Sequence, residues 1–281
     1  MFGTKKSTML LGAICLAAAQ IGFPAETPPA AENPPKDSNA VPKPLSRPIP
    51  VSIDLGRTLF EHNCAACHGK AGCGDGVAIM ALKVRPRDFV NEAIRYISTD
   101  GSPSDDDFIR TIHFGRREGQ MPAFPYLMDE QIRSLALYIR ELNRAGAAAR
   151  LKAKKPDLDE KTIDRVTRRQ TAPGKPVSWQ APSAEFKADT AKGRTLFGAN
   201  CAQCHGPEGH GDSQTRLLDS EGRPIKARDL TTGDFRGGSE PLDLFFRVRC
   251  GVPGTPMPAA AALSDDDVWQ LVNYAKHLAH K

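Results

Sequence analysis

Apolar residues recur at helical spacing in two stretches of the chain. Residues three or four positions apart line one face of an α-helix. The positions are Ile132, Leu135, Ala136, Ile139 and Leu142 in the first stretch, and Val268, Leu271, Val272, Ala275 and Leu278 in the second. No alternating apolar run is long enough to predict a sheet. The pattern therefore predicts an all-α protein.

Serines followed by acidic residues mark further helix starts. Ser104 precedes three aspartates, and Ser264 precedes three more. A serine hydroxyl caps free backbone N–H groups, and the helix dipole favours acidic residues in the first turn. The segment GRTLF, at 56–60 and again at 193–197, predicts two short helices whose leucine and phenylalanine face a core.

The elements recur because the chain contains an internal repeat. GRTLFEHNCAACHG at 56–69 returns as GRTLFGANCAQCHG at 193–206, an offset of 193 − 56 = 137. An offset of 136 relates Gly115 to Gly251, Met121-Pro122 to Met257-Pro258, and Tyr138 to Tyr274. The repeat predicts two copies of one domain, at residues 51–145 and 186–281. A connector at 146–185 would join them.

The N-terminal segments differ in composition from the two copies. Residues 1–25 contain Lys5 and Lys6, an apolar run and a stretch of small residues, which is typical of a cleaved export signal. An uncleaved anchor and a lipid anchor at Cys15 are the alternatives. The proline-rich residues 26–50 predict an extended tether, and a disordered segment left by processing is the alternative. The chain is expected to be exported, to the periplasm or the outer face of the cytoplasmic membrane.

The connector carries most of the excess charge. Between Arg144 and Lys175 there are ten Lys or Arg and four Asp or Glu, so this stretch carries 10 − 4 = +6 while the whole chain carries +5. Such a run is usually a solvated stretch. If it has a function, it would bind an acidic partner. Nucleic acid is not an expected partner, because no aromatic platform accompanies the charge.

Each copy also contains the motif CxxCH. The two motifs consist of Cys64, Cys67 and His68 and of Cys201, Cys204 and His205. Two thiols on one turn can reach the two vinyl groups of a haem, and the next histidine can bind its iron. With seven Cys and seven His in 281 residues, chance predicts roughly 0.004 such motifs. Two covalently attached haem c groups are therefore expected; a zinc or disulfide CxxC is the alternative.

Methionine is the expected sixth iron ligand in both copies. Met121 follows His68 by 53 residues, and Met257 follows His205 by 52. Each methionine precedes a proline, in a loop that can present a thioether. Methionine opposite histidine raises the reduction potential and leaves no open coordination position. This pattern favours electron transfer over ligand chemistry.

With these motifs, the chain resembles dihaem c-type cytochromes built of two class I cytochrome c domains. The resemblance is carried by GRTLF before CxxCH, by RDF at 87–89 or RDL at 228–230, by the acid-capped helix, the Met-Pro loop and the final helix. It implies that the first and last helices of each copy cross, with Gly56 and Gly193 allowing close approach. Arg87 and Arg228 are interpreted as cations for a haem propionate, with exposed arginines as the alternative.

The expected function is to carry single electrons between a respiratory dehydrogenase or quinol-oxidising complex and a terminal oxidase or reductase. The partners would then be a redox protein donor and a redox protein acceptor. A cytochrome subunit fixed in a larger complex at the membrane is the first alternative. A dihaem peroxidase or a sulfur-compound dehydrogenase is the second, and the matched methionines argue against it. No catalytic residue is assigned.

Two cysteines lie outside the motifs. Cys73 aligns with His210, and Cys250 aligns with Phe114. Three interpretations stay open: two isolated buried thiols, a disulfide between them, or an iron ligand in one domain.

Overall fold

The computed structural model describes residues 49–116 and 119–280. The predicted signal at 1–25 and all but the last two residues of the predicted tether lie outside the described residues. The first domain contains α1 (Ile53–Asn63), α2 (Ala65–His68), a 3-10 helix (Val77–Ala81), α3 (Asp105–Phe114) and the start of α4 (Asp129–Lys154). The connector continues α4 and adds α5 (Glu160–Thr171). The second domain contains α6 (Thr190–Asn200), α7 (Ala202–His205), β1 (Leu217–Leu218), β2 (Pro224–Ile225), α8 (Pro241–Cys250) and α9 (Asp265–Leu278).

The predicted all-α class is confirmed. The strands β1 and β2 form one short antiparallel ladder, with Leu217 opposite Ile225. The predicted serine caps are also present, since the hydroxyl of Ser104 accepts from the Asp107 N–H at 3.1 Å and that of Ser264 accepts from the Asp267 N–H at 3.1 Å. In the described part of the chain, no helix has the combined length and apolar character needed to cross a membrane.

The first and last helices of each domain cross at a glycine. A methyl group on Gly56 of α1 would collide with the backbone carbonyl of Ser134 on α4. A Cβ on Gly193 of α6 would lie 2.8 Å from the Cβ of Tyr274 on α9. Only glycine allows backbones to approach this closely. The expected crossing is therefore present in both domains.

The core beside each crossing contains the phenylalanine of GRTLF and a tyrosine of the last helix. Ring centroids lie 5.3 Å apart for Phe60 and Tyr138, and 5.4 Å apart for Phe197 and Tyr274. Phe60 is fully buried, and Phe197 is only 3% exposed. This packing fixes the helix that leads into each CxxCH motif.

The connector is folded against both domains. Helix α4 continues without a break past residue 145 to Lys154, so the predicted domain boundary falls inside a helix. Helix α5 buries Ile163 and Thr167, and the chain after it makes an isolated bridge from Pro176 to Thr99 of the first domain. Further on, the Trp179 ring packs on aromatic rings of the second domain, those of Phe245, Phe246 and Trp269.

Candidate haem sites

Each CxxCH motif forms one helical turn. The N–H groups of Cys67 and His68 donate to the carbonyl of Cys64, at 3.1 and 2.8 Å. In the second domain the N–H groups of Cys204 and His205 donate to the carbonyl of Cys201, at 3.1 and 2.9 Å. Burial raises the pKa of Cys64 to about 12 and that of Cys201 to about 11. The turn thus holds two thiols and an imidazole next to one another against the core.

Both histidines are held in the tautomer that suits iron binding. The Nδ1–H of His68 donates to the backbone carbonyl of Arg87 at 2.9 Å, and that of His205 donates to the carbonyl of Arg228 at 2.9 Å. Because a carbonyl oxygen only accepts, the proton lies on Nδ1 and the lone pair of Nε2 is left for a metal. Burial also lowers the pKa of both imidazoles, which favours their neutral form.

The methionine loops are fixed by a glycine that precedes each of them. Gly115 has φ +64°, and a Cβ there would lie 2.6 Å from the N of Ala123. Gly251 has φ +70°, and a Cβ there would lie 2.7 Å from the N of Ala259. Positive φ and close approach both require glycine. The loop carrying Met121 or Met257 therefore packs directly on the end of α3 or α8.

Two hydrogen bonds close each methionine loop, and in the second domain one of them is to a side chain. The N–H of Arg116 donates to the carbonyl of Met121 at 2.8 Å, and the N–H of Met121 donates back to the carbonyl of Arg116 at 3.0 Å. In the second domain the N–H of Val252 donates to the carbonyl of Met257 at 3.1 Å, and the Met257 N–H donates to the Thr255 hydroxyl at 3.2 Å. Met121 and Cys64 pack against the same core cluster.

The side chains of Arg87 and Arg228 form ion pairs within their own loops. Arg87 pairs with Glu92, and Arg228 pairs with Asp234. The atom of each arginine that touches the histidine is the backbone carbonyl, which sequence reasoning missed. Burial lowers the pKa of Arg87 to about 10; repulsion by Arg95 adds to this, and attraction to Glu92 opposes it.

Glu92 is a buried carboxylate that the sequence pattern did not single out. It is 8% exposed and accepts from Arg85 at 3.2 Å and from Arg223 at 2.6 Å, in addition to its pair with Arg87. Arg223 lies in the turn between β1 and β2 and also pairs with Asp219 at 2.8 Å. An element of the second domain thus reaches the loop that holds His68 of the first.

Cys73 and Cys250 are both free thiols in the structure. Cys73 lies in the loop after the first CxxCH, with its sulfur 4.0 Å from the carbonyl oxygen of Ala71. Cys250 ends α8 and packs beside the core of the second domain. The structure does not show the disulfide that was one of the three interpretations.

The residues of each domain fit a covalent haem c. A fitting site needs two thiols on one turn, a neutral histidine whose Nε2 is available, and a thioether in a fixed loop, and both domains contain this set. A haem bound there would supply one-electron chemistry at its iron. The chain's own residues would hold the group, fix the orientation of the histidine and keep the methionine loop in place.

Comparison with known proteins supports this fit. A model of the family described as cytochrome c oxidase, cbb3-type, subunit III matches residues 51–139 and 188–274. The cbb3-type cytochrome c oxidase subunit CcoP of Azospirillum brasilense is 28% identical over 229 residues, which cover 79% of this chain and 61% of CcoP. Subunit FixP of Bradyrhizobium diazoefficiens is 27% identical over 217 residues, covering 73% and 53%. The chain thus spans less than two thirds of either relative.

A solved structure is also similar. It is a chain of the Kuenenia stuttgartiensis reducing HAO-like protein complex Kustc0457/Kustc0458, with a TM-score of 0.63 and 30% identity. The match covers 82% of this chain and 99% of that one. Both folded domains and their connection therefore have a counterpart in a known structure.

Proposed function

The chain belongs to the family of cytochrome c oxidase, cbb3-type, subunit III. From this membership we propose how the protein, a dihaem c-type cytochrome, transfers electrons. Cys64 and Cys67 attach the first haem, and Cys201 and Cys204 attach the second. His68 and Met121 would bind one iron, and His205 and Met257 would bind the other. The protein then passes single electrons between a respiratory dehydrogenase or quinol-oxidising complex and a terminal oxidase or reductase.

One observation carries this proposal, namely that the methionine loop has the same support in both domains. Gly115 and Gly251 have nearly the same positive φ, and each lies against the backbone of its Met-Pro loop. A dihaem enzyme needs one iron that opens to its substrate. Two loops fixed in the same way favour two closed sites, and closed sites favour a carrier.

The second candidate is a cytochrome subunit of a larger oxidoreductase. The CcoP and FixP relatives are subunits of an oxidase by name, and the Kuenenia chain belongs to a reducing complex. The match to nearly all of the Kuenenia chain supports a role for these two domains as part of a complex. On either proposal the protein acts after export, in the periplasm or at the outer face of the membrane.

The test is a spectroelectrochemical titration of the purified full-length protein together with a haem count. The proposal expects two haems, two one-electron waves and the spectrum of Met-ligated low-spin iron at both. It also expects no binding of carbon monoxide by the ferrous protein and no turnover with peroxide or thiosulfate. Ready carbon monoxide binding at either iron would show an open site and would contradict the carrier.

The connector is proposed to steer an acidic partner. On α5 the side chains of Lys161, Arg165 and Arg169 are exposed. Reversing Arg165 and Arg169 to Glu should slow electron exchange with an acidic redox protein at low salt, and the difference should vanish as salt screens the field. Arg57 is exposed on α1 and Arg194 is exposed on α6, so the double variant Arg57→Glu/Arg194→Glu changes the net charge by the same amount and is the matched control. Equal rates for all variants at low salt would refute a steering role.

A further inference from the structure

Five described arginines, Arg95, Arg116, Arg140, Arg247 and Arg249, have a buried Nε without an acceptor. Arg95 differs from the other four, because their guanidinium groups form hydrogen bonds through other nitrogens. Its Nε is buried and makes no hydrogen bond. Among residues 49–116 and 119–280, no hydrogen bond or ion pair is formed by this guanidinium. An unsatisfied buried donor on a charged group costs free energy, and native structures seldom contain one without a reason. The expected reason is an anion that belongs to the working protein.

The charges around Arg95 also indicate a missing anion. The neighbouring group comprises the cations Arg85, Arg87, Arg95 and Arg223 and the anions Asp88, Glu92 and Asp219. This gives 4 − 3 = +1, and the unmatched cation is Arg95. Glu92 is already shared among the other three arginines. A partly buried excess of positive charge beside the loop that holds His68 calls for a negative group.

Arg95 also lines a cavity where the two domains meet. The cavity has a volume of about 20 Å³ and is lined by residues of both domains, among them Tyr96 and Gly237. Its charged lining residues are four arginines and two aspartates: Arg95, Arg110, Arg116, Arg247, Asp107 and Asp243. This is room for roughly one water-sized group, such as one carboxylate oxygen. A cationic donor and a space of this size suit a carboxylate that enters from the side of the first domain.

We propose that Arg95 binds an ionised propionate of the haem attached at Cys64 and Cys67, at the face that the first domain turns to the second. This inference rests on the proposed haem attachment. It replaces Arg87, whose side chain is held by Glu92, as the cation for that propionate. In the second domain the matching residue is Arg236. It follows Arg95 by 141 positions, and Arg228 follows Arg87 by the same 141 positions. Arg236 is exposed, so a propionate of the second haem that pairs with it would stay in contact with water.

A redox titration of the full-length protein and its variants tests the proposal. Arg95→Gln removes the cation, and the uncompensated propionate then favours the ferric state. The equilibrium constant for reduction of one haem should fall about three- to tenfold, which is roughly 30 to 60 mV at 59 mV per tenfold change. Arg236→Gln should move the other wave, and by less, because water screens an exposed pair.

The variant Arg95→Lys separates charge from structure. Lysine keeps the charge but loses the planar fork of the guanidinium, so the same wave should fall by a smaller amount. If Arg95→Gln does not mature, Arg95→Lys carries the test alone, and an unchanged pair of waves in Arg95→Lys then overturns the inference. The inference is overturned if Arg95→Gln, with both haems and the methionine-ligated spectrum retained, moves neither wave, or if Arg95→Lys moves it as far as Arg95→Gln does.

Two further outcomes are distinguishable. If the wild-type potential differs between phosphate and chloride at equal ionic strength, and Arg95→Gln removes that difference, Arg95 holds a free anion and the propionate assignment is wrong. If the wild-type protein lacks two haems, the proposed function itself fails, and that result does not depend on Arg95.

Discussion

The two domains hold their histidines in the same way but surround them differently. His68 is stacked on Phe89, with ring centroids 4.5 Å apart, and the loop behind it contains the buried Glu92. In the second domain Leu230 takes the place of Phe89. There the acid is Asp234, whose side chain is 48% exposed and is paired with Arg228.

The two domains thus share the support of the histidine and of the methionine loop, and they differ in the charges and aromatic rings around the histidine. The His–carbonyl hydrogen bonds and the glycines before the methionine loops are shared. The stacked phenylalanine and the arginine cluster around Glu92, which includes Arg223 of the second domain, lie beside His68 only. Burial and positive charge both disfavour the more positive ferric state. We therefore expect the higher of the two reduction potentials to belong to the first domain.

The largest expected effect comes from removing the proposed methionine ligands one at a time. Met121→Ala and Met257→Ala should each shift one wave downward by a sizeable share of the roughly 0.8 V range that axial ligands span. Carbon monoxide should then bind only the altered iron. If Met121→Ala removes the higher wave, the assignment of that potential to the first domain is supported. A variant that keeps both waves would show that its domain is ligated by another residue.

The next largest effect tests the buried charge cluster. Glu92→Gln would leave Arg85, Arg87 and Arg223 without their shared carboxylate, and we expect a loss of about 3–5 kcal/mol in the free energy of unfolding. Asp234→Asn breaks an exposed pair and should cost at most about 1 kcal/mol. Unfolding in guanidinium chloride, monitored by circular dichroism, gives both free-energy changes. Equal losses would mean that burial does not distinguish the two acids.

Substitution of the loop glycines should affect the two domains alike. Gly115→Ala and Gly251→Ala place a Cβ 2.6 and 2.7 Å from the N of Ala123 and of Ala259, at positive φ. We expect each to lower the unfolding free energy by about 1–3 kcal/mol. Gly198→Ala, on α6 with nothing within 4 Å of the added Cβ, should be neutral or stabilising by up to about 1 kcal/mol. A large effect at only one of the two loop glycines would show that the methionine loops are not equivalent.

Much of this organisation could be predicted from sequence because it depends on local chemistry. The spacing of apolar residues predicts α4 and α9, serine before aspartates predicts the caps of α3 and α9, and the crossing at Gly56 follows from the resemblance. The acid that pairs with Arg87 could not be predicted, because several acids lie nearby and only the fold selects Glu92. Contacts such as Arg223 with Glu92 join residues 131 positions apart and depend on how the domains dock.

The smallest expected effect concerns the one thiol of each domain that lies outside the CxxCH motif. Burial raises the pKa of Cys250 to about 11, with Asp107 adding to it, and burial together with Asp88 raises the pKa of Cys73 as well. Since the thiolate is the nucleophile, alkylation of Cys250 at pH 8 should be roughly 200-fold slower than that of a thiol of pKa 8.5. Its rate should rise about tenfold per pH unit up to pH ~11. Peptide mass spectrometry of the haem-loaded protein should show Cys73 labelled before Cys250. Labelling of both only after a reductant is added would instead establish a disulfide between them.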